Sequence, residues 1–155
     1  MFYLLNAVGG LLSSLLSLAV YLLGAYALYK VARLRFLPNA WLAFIPIFNL
    51  YMIGMILDSM KYNHYKINHY LSNVPLSYVL PIAALVSNLL PVIPLIGDLA
   101  VLLISLGLWL AELLMYYFIF HLYAEPKNTN LFTLLSVIPL LGPILTLYVL
   151  KDRRY

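Results

Sequence analysis

The sequence predicts an all-α integral membrane helical bundle, with three firm transmembrane helices and two proline-broken segments. Two observations carry the class. Of the 155 residues, 65% are hydrophobic and only 9% are charged, whereas a soluble domain carries about a quarter charged residues to hold its surface in water. The apolar residues also run in stretches long enough to cross a bilayer, where about 20 suffice. A third observation predicts the breaks. Ile-Pro sits inside three hydrophobic stretches, FIPIFNL (44–50), VIPLIGD (92–98) and VIPLLGP (137–143), and proline removes a helix hydrogen bond and clashes with the preceding turn. The chain reads as one membrane domain, 1–155.

The first apolar segment, 4–29, precedes every charged residue, the earliest being Lys30. As helix it reaches roughly 39 Å, enough to span a ~30 Å core with tilt. It has no basic n-region or small-residue cleavage site, so an uncleaved span is expected. Asn6, Gly10, Ser13, Ser14, Ser17, Tyr21 and Gly24 recur in it at three- and four-residue steps. That is a small-residue seam for close helix packing.

The second segment, 40–57, is interrupted by Pro46, and Asn49 is placed to cap a new half-helix beginning at Leu50. The polar stretch 58–73 predicts an interfacial helix. Met60, His64, Ile67 and Leu71 form one stripe, Lys61, Asn63, Lys66 and Asn68 point elsewhere, and Tyr62, Tyr65 and Tyr70 suit headgroup depth. His64 and His69 are five apart and splay on a helix, so no metal pair is expected.

The third segment, 75–90, is a shorter span carrying Pro75 and Pro81, with Ser77, Ala84 and Asn88 near one face. Pro94 then ends a loop, and Gly97-Asp98 reads as a turn with Asp98 as N-cap of the fourth segment, 99–124. In the fifth segment, 131–150, a break is expected near Pro139, Gly142 and Pro143.

Lysine and arginine constrain the topology. If all five segments cross, Lys30, Arg33, Arg35, Lys151, Arg153 and Arg154 lie inside and Lys61, Lys66 and Lys127 outside. If 40–57 and 131–150 instead dip in and return, all nine basic residues become cytoplasmic. Full crossings are commoner, and irregular backbone at membrane depth needs shielding by protein or a wet cavity. Both arrangements put the N-terminus outside and the C-terminus inside.

NAWLAFIPIFNLY (39–51) resembles a W-x-A-x-I-P-[IV]-x-N-x-Y motif of small prokaryotic multi-span membrane proteins of unknown function, and LFTLLSVIPLLGPILTLYVLKDRR (131–154) is similar to a common ending of such proteins. The resemblance covers about a quarter of the chain. It implies the architecture only, and brings no catalytic residue, cofactor or substrate; a multi-pass location in the plasma (inner) membrane of a prokaryote is the accompanying expectation.

Glu112, at the midpoint of the fourth segment, is the most informative residue. An ionised carboxylate there costs several kcal/mol, so it must face protein or water, find a partner or be protonated. Asp98, Ser105 and Glu112 follow one heptad line, with Trp109, Tyr116 and Tyr123 on a second beside it. Asp98, Ser105, Glu112 and Tyr116 therefore form the candidate polar site, around which the seams of segments one, three and four are expected to meet.

Other chemistries find little footing. The chain has no cysteine, which excludes disulfides, iron–sulfur clusters, thiolate zinc sites and palmitoylation. His121 lies on the face opposite Glu112, and no G-x-S-x-G elbow or phosphate loop occurs. Asp98 in IGD lacks the second aspartate and preceding glycine of an intramembrane protease. An enzyme is not favoured, no cofactor is expected, and the net charge of +4 reads as orientation signal rather than nucleic-acid contact. The leading expectation is a non-enzymatic module packing with itself or a membrane partner through polar seams. The second is a small transporter or channel using Glu112 as a proton or cation site. Hydration separates them: a cavity reaching Glu112 between broken half-helices favours transport, and a dry Glu112 satisfied by hydroxyls favours packing.

Overall fold

A computed structural model of the chain describes residues 2–63, 71–92, 96–151 and 153, with side chains from residue 10 onward except 63, 92 and 96. The described residues are helical or in turns, with no strand. Six α-helices occur among them: α1 (Phe2–Leu34), α2 (Phe48–Met60), α3 (Leu76–Leu89), α4 (Ile96–Tyr123), α5 (Thr129–Leu135) and α6 (Leu141–Val149). Helices α1 and α4 are long and apolar enough to cross a membrane. Helix α3, at 14 residues, measures roughly 21 Å and continues as a 3-10 turn over Leu90–Val92.

Helix α1 ends in a Schellman closure. The amide of Leu37 donates to the carbonyl of Ala32 (2.9 Å), and that of Phe36 to Arg33 (3.1 Å). Phe36 takes the left-handed position (φ 54°) usually left to glycine. The chain then runs through a 3-10 turn, Ala40–Phe44, whose Ala40 and Ala43 are buried. It breaks at 45–47 and returns as α2. The return is tied to its starting point: the Arg35 guanidinium donates through Nε to Ser59 Oγ (3.3 Å) and through Nη2 to the Ser59 carbonyl. Residues 36–60 thus form a closed hairpin.

Helices α2 and α3 cross at Gly54. Any side chain there would run into the Leu76 carbonyl and the Ser77 backbone. Beside the crossing, the Asp58 carboxylate accepts from the amides of Leu76 (3.2 Å) and Ser77 (3.0 Å), so it caps α3 from another helix. The Lys61 ammonium bonds both Asp58 (3.0 Å) and the Val74 carbonyl (3.0 Å). Helix α3 packs along α4, and Gly97 lies against the Leu90 carbonyl so closely that a Cβ would collide with it.

The second hairpin has the same plan. Leaving α4, the chain turns into α5, where Phe132 meets Phe120 edge-on (5.6 Å between ring centres). It breaks over 136–140 and returns as α6. Arg153 then lies over the Tyr123 ring, 5.6 Å from its centre, at the end of α4 where the hairpin began.

The core joins both hairpins to the C-terminal halves of the long helices. It contains Leu28, Val31, Ala32, Met52, Ile56, Leu57, Met60, Met115, Ile119, Phe120 and Leu150. The other halves of α1 and α4 are bare, with Leu11, Leu12, Leu15 and Leu16 exposed on one and Leu99, Leu102, Leu103 and Leu106 on the other.

Several expectations need correction. Asn49 is not a cap: α2 begins at Phe48 with Ile47 at the cap position, because the backbone reverses at Ile47 before Asn49 can reach a free amide. Asp98 is likewise the third residue of α4 rather than its cap, an acidic first-turn residue that still suits the helix dipole. Lys61 does not face away from the core; it is 4% exposed, drawn in by Asp58. Of the expected interfacial helix 58–73, residues 58–60 belong to α2 and Lys61–Asn63 form a 3-10 turn. The stripe residues His64 and Ile67 lie outside the described residues, as do His69 and Pro94.

Candidate functional site

Glu112 stands mid-way along α4, one turn before Tyr116, whose hydroxyl donates to its Oε1 (3.4 Å). Tyr116 is held from two sides. Its ring stacks on Phe120 (6.1 Å, 14°), and it lies against Gly142, where a Cβ would come within 2.7 Å of the ring. The missing side chain of Gly142 thus makes room for the residue that positions Glu112.

The two chain breaks meet at this carboxylate. In the first, Pro46 precedes Ile47, a β-branched residue with φ 72° and ψ −50°, close to the rare and strained γ-turn. In the second, the turn over 136–140 carries Pro139, and Pro143 occupies the first turn of α6, where its missing N–H costs nothing. Pro46, Ile47, Asn49, Pro139 and Pro143 line one cavity of about 380 Å³ together with Glu112, Tyr116 and, from α1, Tyr21 and Gly24. A smaller void of about 30 Å³ lies beside Glu112, lined by Trp109, Ser136 and Pro139; it has room for about one water.

The polar inventory of the larger cavity is short. The polar residues along its wall are Glu112, Tyr116, whose hydroxyl is bonded to that carboxylate, Asn49 and Tyr21. The Tyr21 hydroxyl itself is buried, with no surface open to the cavity, and has no hydrogen-bond partner among the described residues. The remaining walls are aliphatic, among them Val20, Leu28, Leu50, Ile53 and Met115.

Helices α2 and α6 both start at the cavity, so their positive dipole ends face it. Several of their first amides are nevertheless occupied. Asn49 donates to Ile45 (2.9 Å), Leu50 to Ile47 (3.1 Å) and Leu141 to Ile138 (2.9 Å).

No protein-family model, no curated protein and no solved structure matches the chain. The chemistry of the site therefore has to be read from its own geometry.

Of the four predicted polar residues, the structure brings together Glu112 and Tyr116. Ser105 and Asp98 are exposed on the bare half of α4, the latter roughly 21 Å along the helix from Glu112. The expected meeting of seams from segments one, three and four does not occur. Segment three contributes none of the cavity's walls; segments two and five take its place, joined by Tyr21 and Gly24. The predicted breaks at Pro46, Pro139, Gly142 and Pro143 all reach the site. Sequence reading does not single out Ile47 or the orphaned hydroxyl of Tyr21. A β-branched residue directly after Ile-Pro is the available signal for the first, and the second has none.

Proposed function

We propose that the chain is a multi-pass membrane protein that carries or conducts a small cation through a site centred on Glu112. The observation that carries this reading is the convergence of both chain breaks on one cavity containing that carboxylate. Charged groups at such depth mark ion or substrate pathways, and broken helices at a cavity are the form such sites take in transporters.

The proposed topology has three crossings, α1, α3 and α4, in a prokaryotic inner membrane with the N-terminus outside. Hairpins 36–60 and 124–151 enter from the cytoplasmic face and return to it. Three features support this. The Arg35–Ser59 bonds and the Arg153–Tyr123 contact close each hairpin at its base. Asp58 ties the N-terminus of α3 to the first base, and α4 runs back along α3 from Gly97, which brings the second base to the same side. Both irregular stretches, exposed at 45–47 and 137–140, border one cavity, and non-helical backbone at membrane depth is tolerated where it lines a water-filled cavity.

A packing module has weaker support. Ser13, Ser14 and Ser17 on the exposed part of the α1 seam already donate to carbonyls of their own helix at 2.9 Å, so these three hydroxyls do not call for an acceptor on another helix.

The test is flux. In liposomes carrying the purified chain, a panel of inorganic and organic monovalent cations is expected to cross faster than in empty liposomes. Glu112→Gln should cut that rate at least ~10-fold, the loss for ~1.4 kcal/mol of binding, while Ser105→Ala and Asp98→Asn leave it unchanged. Equal flux in wild type and Glu112→Gln would overturn the reading.

A further inference from the structure

We infer that the base of the second hairpin is a binding surface for the headgroup of an anionic phospholipid, with Lys151 and Arg153 drawing its phosphate. The surface shares no wall residue with the Glu112 cavity. It shares with the cation-site reading only the proposed topology, which sets it at the cytoplasmic face of the bilayer.

Helices α4 and α6 finish here, at Tyr123 and Val149. Between their ends is a cleft of about 530 Å³ walled by Tyr123, Glu125, Asn128, Phe132, Tyr148 and Lys151. Two cations stand over its aromatic walls. The Lys151 ammonium lies 5.0 Å from the centre of the Tyr148 ring, and the Arg153 guanidinium 5.6 Å from that of Tyr123. Both residues are exposed, and neither side chain makes a hydrogen bond or ion pair with another described residue. A ring face steadies a cation without accepting from its N–H groups through an oxygen, so those donors are left for an oxyanion. Glu125, the acid on the wall, is already engaged by Lys127 (3.1 Å) and Asn128 (3.4 Å). Lys151 and Arg153 are therefore uncompensated among the described residues.

Below the charge the hairpin is apolar. Between the cleft and the break at 136–140, α5 exposes Leu131 and Leu134, and α6 exposes Ile144. Charge at the membrane surface with hydrocarbon beneath it is the order of groups in a phospholipid. A soluble phosphate would use the cations alone, and a nucleic acid has no use for leucines at that depth. A choline headgroup carries its own cation and cancels the attraction, whereas a headgroup of net negative charge keeps it. Each basic side chain at such a surface strengthens binding to acidic lipid about fivefold. Orientation signals account for the side on which basic residues lie. They do not account for a tyrosine ring under each of these two.

The experiment follows the thermal unfolding midpoint of the full chain in mixed micelles, at constant ionic strength, as the mole fraction of dioleoylphosphatidylglycerol rises. Dioleoylphosphatidylcholine and inorganic phosphate are the comparisons. A ligand that binds only the folded state raises the midpoint in a saturable way. The expected result is a saturable rise with the glycerol lipid at a mole fraction ~10-fold or more below that needed for the choline lipid. Lys151→Gln and Arg153→Gln should each weaken the glycerol lipid about fivefold. Lys30→Gln, the same charge lost from α1 off the cleft wall, should leave it unchanged. Equal response to the two lipids overturns the inference, and so does a loss in Lys30→Gln as large as that in Lys151→Gln. Inorganic phosphate acting as well as the glycerol lipid also overturns it, by making the ligand a soluble anion. Should the glutamine variants fail to fold, wild type at ~1 M salt decides, where exposed charges are screened beyond about 3 Å. The preference for the glycerol lipid should vanish there, and a preference that survives overturns the role of the two cations.

Discussion

Phe36 occupies a left-handed position at the end of α1 with its side chain 88% exposed. A non-glycine residue pays about 1–2 kcal/mol for that conformation, and the exposed ring recovers little of it. Phe36→Gly is therefore expected to stabilise by ~1 kcal/mol, read as a higher unfolding midpoint. Asp58 makes the opposite case. Burial pushes its carboxyl upward, but the Ser77 amide, Lys61, the Ser77 hydroxyl and the Leu76 amide together outweigh burial and hold it below the usual carboxylate range. A group depressed in the folded state contributes stability that is complete above the unfolded value of about 3.9 and is lost as pH falls through the folded one. Asp58→Asn should thus cost ~1–2 kcal/mol at neutral pH, and its deficit against wild type should shrink as unfolding is measured below about pH 4. Glu112 is legible in the sequence as the one acid inside a long apolar run. The role of Asp58 is not, because the amides it caps lie 18 and 19 residues away in the chain and nothing local marks the pairing.

At the scale of elements, proline and glycine do different work. Pro46 and Pro139 announce their breaks in the sequence, since a helix cannot run through them without loss. Where the new half-helix starts is less legible. Asn49 has the chemistry of a cap, yet the chain reverses at Ile47 in a strained conformation. Glycines are silent in sequence by comparison. A Cβ added at Gly107 would meet nothing within 4 Å, whereas one at Gly54 would strike the Leu76–Ser77 backbone directly. Gly107→Ala should raise stability by up to ~1 kcal/mol through helix propensity. Gly54→Ala should cost ~3 kcal/mol by prying α2 from α3, and denaturant unfolding of the two variants side by side measures the contrast.

For the whole molecule, the decisive issue is whether the two hairpins cross or return. The chain has no cysteine, so a single introduced thiol reports its own side of the membrane. Under the proposed topology, Tyr62→Cys, Lys127→Cys and Lys151→Cys react alike with a membrane-impermeant maleimide, from the cytoplasmic face only. Labelling of Tyr62→Cys and Lys127→Cys from the opposite face would mean that the segments cross and the cytoplasmic count of basic residues falls. The bare halves of α1 and α4 belong to this scale as well. Exposed leucines in that number are a liability in water and an ordinary surface in lipid.

By itself, the sequence determined the helical class, the positions of the long helices and breaks, and the single acid within the fourth apolar segment. Composition, apolar run length and proline are local properties, and they act on the backbone where they stand. Only the tertiary structure decided that the breaks at Pro46 and Pro139 share one cavity with Glu112, that Tyr21 and Gly24 of α1 join its wall, and that Asp58 caps a distant helix. Those features arise where segments far apart in the chain come together. A proline marks that the helix stops, and the packing around it sets which way the chain then turns.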